Sequence, residues 1–158
     1  MPSATSSSHF TTNADRTPLV GALLRMPWEI VRSRMLERLH RAGFDDLEPA
    51  HLSVLQYPGP EGTRPSELAG RLGISKQALN YLLGQLEGLG YIERIRDLDD
   101  LRGKRIHVTD HGNAAIETMR DAIRELEAEW ALAIGTDRFA LLRELLTDLV
   151  SRVVEHAG

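Results

Sequence analysis

The stretch TRPSELAGRLGISKQALNYLLGQLEGLGYIERIRDLDDLRGKRIHVT, residues 63–109, decides the fold. Pro65 suits the first position of a helix, where its missing N–H costs nothing. Leu68, Ala69 and Leu72 then give that helix one apolar face, and Gly73 ends it. Ser75 is an N-cap residue for a second helix from Lys76 to about Leu89, with Leu79, Leu82, Leu83 and Leu86 turned inward and Gly90 as its stop. Two helices crossing closely need a small residue in the first, a residue tolerant of left-handed backbone in the turn, and an apolar anchor on the second. Ala69, Gly73 and Leu79 meet those needs. Tyr91, Ile92 and Ile95 begin a strand, and Arg105 to Thr109 alternates as its return partner, so a β-hairpin with a charged tip follows at once. The expected class is mainly α with a small β-hairpin wing (α+β), a winged helix-turn-helix.

With its leucines inward, the second helix offers Lys76, Gln77, Asn80, Tyr81 and Gln85 outward, and no Asp or Glu occurs on it before Glu87. Amides, hydroxyls and an ammonium are the groups that read base edges or hold phosphate in a major groove, whereas a generic surface helix mixes both charge signs. Arg94, Arg96, Arg102, Lys104 and Arg105 flank the hairpin tip, placed to grip the DNA backbone or enter the minor groove. The tip also holds Asp97, Asp99 and Asp100. Asp97 and Asp100 are expected to pair with Arg102 or a neighbour and fix its direction.

Ser66-Glu67-Leu68-Ala69, Gly73-Ile74-Ser75-Lys76, Leu86-Glu87, Gly90-Tyr91-Ile92-Glu93-Arg94, Asp97 through Asp100, Arg102, Val108-Thr109 and Gly112 together resemble the multiple-antibiotic-resistance regulator (MarR) family. The resemblance runs without gaps from Ser66 to Gly112. It implies a winged-helix homodimer whose N- and C-terminal helices form the dimerisation region, a repressor with Ser66 and the second helix at the DNA and Arg102 in the minor groove. A palindromic operator follows from two-fold symmetry. Leu101, where the family often has an arginine, and Gly84, where it has a larger residue, depart from the pattern.

Working outward, apolar residues recur at Val20, Leu24, Trp28, Val31, Met35 and Leu39, a long helix with Thr17-Pro18 at its start, or one that begins or kinks at Pro27, and Gly43 at its end. A short helix spans about Pro49 to Tyr57, before the Pro58-Gly59-Pro60 loop. After Asp110, helices are expected over about 111–133 and 137–156, the latter with Leu141, Leu142, Leu145, Leu149 and Val153 on one face. The stripes of the first and last helices exceed what a small winged core covers, so they pack on each other or on a second copy, and the resemblance favours the dimer. The division expected is a disordered tail over 1–16 and one domain over 17–158, with dimerisation helices at 17–45 and 111–158 and a DNA-binding lobe at 47–110.

Aromatic residues make up only 5% of the chain, so the core must be aliphatic. With no cysteine, disulfides and thiolate metal sites are excluded. The first sixteen residues are polar and lack the apolar centre of a signal peptide, and a cytoplasmic location with no membrane contact is expected. The net charge of −4 is unhelpful for a polyanion partner, but the deficit sits in residues 109–158, which hold ten acidic and five basic groups. Local placement of cations governs nucleic-acid affinity.

Relatives in the family are released from DNA by small aromatic or phenolic acids. Arg25, Trp28, Arg32, His51 and Tyr57 come from the elements that would line such a pocket, where a guanidinium beside an aromatic ring suits an anionic ligand. Two other readings stay open. One is a metal-responsive regulator using His107 and His111, or His40, His51 and Glu48, although no histidine pair has helical ligand spacing. The other is a winged helix used only for protein contacts. No glycine-rich phosphate loop, nucleophile elbow or paired carboxylate supports an enzyme, and no cofactor is implied.

Overall fold

The computed structural model describes residues 17–57, 62–97 and 103–155, with side chains to residue 153. The proposed tail, Arg102, Asp100 and Leu101 lie outside the described residues. Among the described residues there are six helices and two strands: α1 (Val20–Arg41), α2 (Pro49–Leu55), α3 (Pro65–Leu72), α4 (Lys76–Gly88), β1 (Ile92–Arg96), β2 (Lys104–Val108), α5 (Asp110–Ile134) and α6 (Thr136–Glu155). The architecture is mostly helical with an antiparallel hairpin, as the sequence predicts. No helix among the described residues is long and apolar enough to cross a membrane.

One core joins all elements but α6. It is built from Met35 and Leu39 of α1, Leu52 and Leu55 of α2, Leu68 of α3, Leu79, Leu83 and Leu86 of α4, Tyr91, Ile92 and Ile106 around the hairpin, and Ala115 and Met119 of α5. The hairpin pairs Ile92 with Val108 and Arg96 with Lys104. Thr63 adds a one-residue third rung, exchanging backbone hydrogen bonds with Ile106. That rung ties the start of α3 to the wing.

Three details differ from the sequence reading. Helix α1 begins at Val20 with Leu19 as its N-cap, and it runs through Pro27 instead of starting there. A proline inside a helix forfeits one i→i−4 bond but need not end it. Second, α2 stops at Leu55. Third, only half of the α1 stripe enters the core. Met35 and Leu39 are fully buried, while Val20, Leu24 and Trp28 remain 61%, 43% and 47% exposed. The stripe of α6 is exposed as well, at Leu141, Leu142, Leu145, Leu149 and Val153. Helical periodicity correctly marks an apolar face, but the described residues of one chain leave it uncovered.

Where α1 and α5 do meet, two ion pairs hold them: Arg34 takes both carboxylate oxygens of Glu129, and Arg38 reaches Glu125. The Arg34 guanidinium, by hydrogen bonding, holds the Glu129 carboxyl below the usual carboxylate range. The joint between wing and α5 is tighter. Thr109 caps α5 by accepting from Gly112 N and donates its hydroxyl to Gly90 O at 2.6 Å.

Candidate nucleic-acid interface

The α3–turn–α4 unit is assembled by short-range chemistry. Gly73 adopts φ 64°, ψ 30°, a left-handed cap that a side chain would strain. Ile74 N then returns to Ala69 O at 3.2 Å, and Ser75 Oγ accepts from Ala78 N at 3.1 Å. These bonds satisfy orphan backbone groups at both helix ends and fix how α4 leaves the turn. Leu79, Leu83 and Leu86 are buried, so Lys76, Gln77, Asn80 and Tyr81 are necessarily outward, and all four are exposed. Gln85 is the exception. It is half-buried, facing His51 on one side and Tyr81 on the other.

Beside this helix lies a cleft of about 370 Å³ lined by Arg64, Pro65, Ser66, Lys76, Leu79, Asn80, Gly103 and Lys104. It collects Ser66, Lys76, Asn80 and Lys104 from three separate elements, as the winged-helix reading requires. Among the described residues no carboxylate lines it. On the hairpin Arg96 and Lys104 stand directly opposite each other, both exposed. Among the described residues neither has an acidic partner. Like charges directly across a hairpin cost stability, so this pair is an arrangement that an anion would relieve.

The expected pairing of Asp97 with Arg102 lies outside the described residues; among those described, its partners come from α3 and β2. Its carboxylate is only 1% exposed and faces two arginines: Arg64 Nε and Nη2 both lie at 2.8 Å from Oδ2, and Arg105 Nε at 3.2 Å from Oδ1. Asp97 N also donates to Gly103 O, closing the root of the wing. The aspartate therefore anchors an arginine of α3's N-cap and one of β2, turning its charge away from solvent. Arg64 is the residue that sequence reasoning missed. Its signal was its place immediately before Pro65, but its partner is 33 positions away.

Arg94 is also drawn inward. Its Nε lies 3.0 Å from Glu87 Oε2, and its guanidinium runs past Gly84, leaving 3.9 Å to where a Cβ there would sit. Thus Glu87 and the open position at Gly84 hold Arg94 against α4, and its charge is already compensated.

The residues suggested for a small ligand are not gathered into one cavity by a single chain. Arg25 and Trp28 lie on the exposed half of α1, Arg32 is half-buried further along, and Tyr57 is 43% exposed beyond α2. His51 is 2% exposed with both ring nitrogens engaged: Nδ1 accepts from Glu48 N and Nε2 contacts Gln85 Oε1. It is built into the fold. Of the other histidines considered for metal, His40 has Nε2 at 2.9 Å from Leu47 O, and the His111 ring is stacked 4.4 Å from Tyr91. Among the described residues no three of His, Asp and Glu form a group that could hold a metal ion.

A model of the MarR family matches residues 45–103, which begin before α2 and end at the root of the wing. Wild-type MarR from E. coli is 25% identical, with 85% of this chain and 98% of that chain covered at a TM-score of 0.68. The transcriptional repressor CouR, in a structure bound to a 23-mer DNA duplex, is 26% identical over 84% of this chain and 92% of its own, at a TM-score of 0.63. A transcriptional regulator from Thermotoga maritima matches in fold at 24% identity and a TM-score of 0.61, covering 87% of this chain and 95% of its own.

Proposed function

We propose that this chain, matched over residues 45–103 by a model of the MarR family, is a winged-helix regulator of that kind, which binds double-stranded DNA sequence-specifically as a homodimer and represses transcription. One observation carries the proposal: the outer face of α4 from Lys76 to Gln85, free of carboxylates, opens onto a cleft whose charged groups among the described residues, Arg64, Lys76 and Lys104, are cationic. Lys76, Lys104 and Arg96 neutralise phosphates, while Gln77 and Asn80 carry the amides that pair with an adenine edge. Ser66, at the start of α3, adds a hydroxyl for the backbone. Arg105, held by Asp97, stiffens the hairpin, from which Arg102 reaches the minor groove. The complex of the similar CouR with a DNA duplex supports the same mode of use.

The dimer follows from the uncovered apolar residues. Leaving Leu141, Leu145 and Leu149 of α6 and Leu23, Leu24 and Trp28 of α1 in water costs roughly 25 cal/mol per Å² of apolar surface, and a second copy removes that cost. Two-fold symmetry then presents two α4 helices to half-sites one helical turn apart or a multiple of it, about 34–36 Å per turn, and the operator is palindromic. The acidic excess of residues 109–158 lies on the elements assigned to the dimer, away from the DNA. In this reading a small aromatic or phenolic anion that releases DNA binds between the dimer helices and the winged lobe, at a site that the second copy completes and to which Arg25, Arg32, Trp28 and Tyr57 contribute.

Selection of bound duplexes from random DNA tests the main proposal. A palindrome whose affinity falls steeply with salt is the expected outcome, and failure to enrich any sequence refutes it. For the ligand, a melting shift together with DNA release by aromatic carboxylates is expected, and neither effect across a broad panel of such acids refutes it.

A further inference from the structure

Three hydrogen bonds run from a backbone amide at the start of α2 to the outer face of α4. They begin at Glu48, the N-cap of α2, whose backbone N–H donates to His51 Nδ1 at 3.1 Å. A backbone N–H can only donate, so His51 Nδ1 accepts and the ring proton of the neutral imidazole sits on Nε2. His51 Nε2 then donates to Gln85 Oε1 at 3.2 Å. That contact settles which way the Gln85 amide faces: oxygen towards the core, nitrogen towards Tyr81, whose Oη accepts from Gln85 Nε2 at 3.3 Å. With one lone pair taken by the amide, the phenol's own proton is free to point away. Tyr81 is 69% exposed and stands between the outward Gln77 and Asn80 side chains and the open position at Gly84.

We propose that His51, acting through Gln85, is a positioning residue for DNA recognition that presents Tyr81 as an outward hydrogen-bond donor. The inference rests on the DNA-binding reading and deepens it, because a phenol held as donor selects an acceptor. On a duplex that acceptor is a purine N7 or a keto oxygen in the major groove, or a phosphate oxygen. Without Gln85 the phenol rotates freely and serves donors and acceptors alike. The buried histidine, which contacts no DNA, thereby bears on sequence preference.

The test uses the full chain and the duplex recovered by selection, with an unrelated duplex as control. Tyr81→Phe is expected to weaken binding to the selected site roughly three- to tenfold, the worth of one net hydrogen bond. Gln85→Met, similar in volume but unable to bridge, is expected to do nearly the same, and the double variant to be no more than about twofold weaker than either single one. Multiplying effects overturn the proposal. So does a Gln85→Met variant that melts lower yet binds as tightly per folded protein. Gln85→Glu keeps an acceptor for His51 but has no donor for Tyr81, so the phenol proton turns inward. A base contact predicts that preference then moves to adenine or cytosine, whose amino groups donate in the major groove, whereas a phosphate contact predicts equal weakening on every sequence. Unchanged affinity and preference would refute both. The ring nitrogens of His51, followed by ¹⁵N resonances without DNA, are expected to report a proton on Nε2, and a proton on Nδ1 overturns the relay. If the wild-type chain binds no duplex while the Nε2 tautomer is present, the fault lies with the DNA-binding reading and not with the relay.

Discussion

Replacing Gly112 by alanine is the sharpest probe of how the reading lobe is joined to the long helices. Gly112 lies in the first turn of α5 and has no positive φ, so the position is reserved for space alone. A Cβ there would stand 2.1 Å from the Tyr91 carbonyl oxygen and 2.6 Å from Val108 Cγ1. Neither neighbour is the far end of a flexible chain. The Tyr91 carbonyl accepts from Thr109 N at 3.1 Å, and Tyr91 itself is fully buried. To restore ordinary contact the turn must withdraw by about 1 Å, which strains the Thr109 cap and its bond to Gly90 O. Overpacking costs about 1–3 kcal/mol and a lost backbone hydrogen bond about 1 kcal/mol, while alanine regains about 1 kcal/mol of helix propensity. The net expectation is a loss of roughly 1–3 kcal/mol, which in a chain of this size lowers Tm by about 3–9 °C. Calorimetry at matched protein concentration measures it, since a dimer's Tm depends on concentration. Gly70→Ala, in open space on α3, is the control and should raise Tm slightly. A Gly112→Ala protein that melts within 2 °C of the parent refutes the argument.

Asp97→Asn removes one negative charge beside the cleft, yet it should not strengthen DNA binding, because the two arginines it anchors lose their direction; a melting loss of about 1–2 kcal/mol is expected, reduced by the partial exposure of both guanidiniums. Higher affinity at low salt would show that Asp97 only repels phosphate. Burial first, and then the bond to Asp46, raise the Tyr91 pKa above the ordinary value, so stability is fully present below the unfolded tyrosine value of about 10 and lost as pH climbs past it. Tyr91→Phe should cost about 1 kcal/mol at neutral pH and flatten that alkaline loss, read by denaturant titration at pH 7 to 11. Leu145→Glu places a charge in the exposed stripe of α6 and should shift sedimentation towards monomer while weakening operator binding; an unchanged dimer would put the interface elsewhere.

The parts of this fold that could be read from the sequence are those decided within a few residues. Gly73, Ser75 and the leucines of α4 set a turn, a cap and a buried face through contacts no longer than one helical turn, and the hairpin register follows from alternation. The parts that escaped reading depend on pairings across the chain. Arg64 meets Asp97 only because Thr63 bonds to Ile106 and brings the start of α3 to the wing. His51 reads as a ligand candidate in a list of residues, and its true partners, Glu48 N and Gln85 Oε1, emerge only when α2 docks on α4. Trp28 shows a third kind of gap. Periodicity reports that a face is apolar and is silent about what covers it, so the same stripe reads as core from Val31 to Leu39 and as open surface from Val20 to Trp28. Both halves belong to one continuous helix, which places the covered half under the DNA-reading lobe and the uncovered half at the expected second copy. Under the proposed dimer, a change in how two copies pack along α1 is expected to change the spacing of their α4 helices.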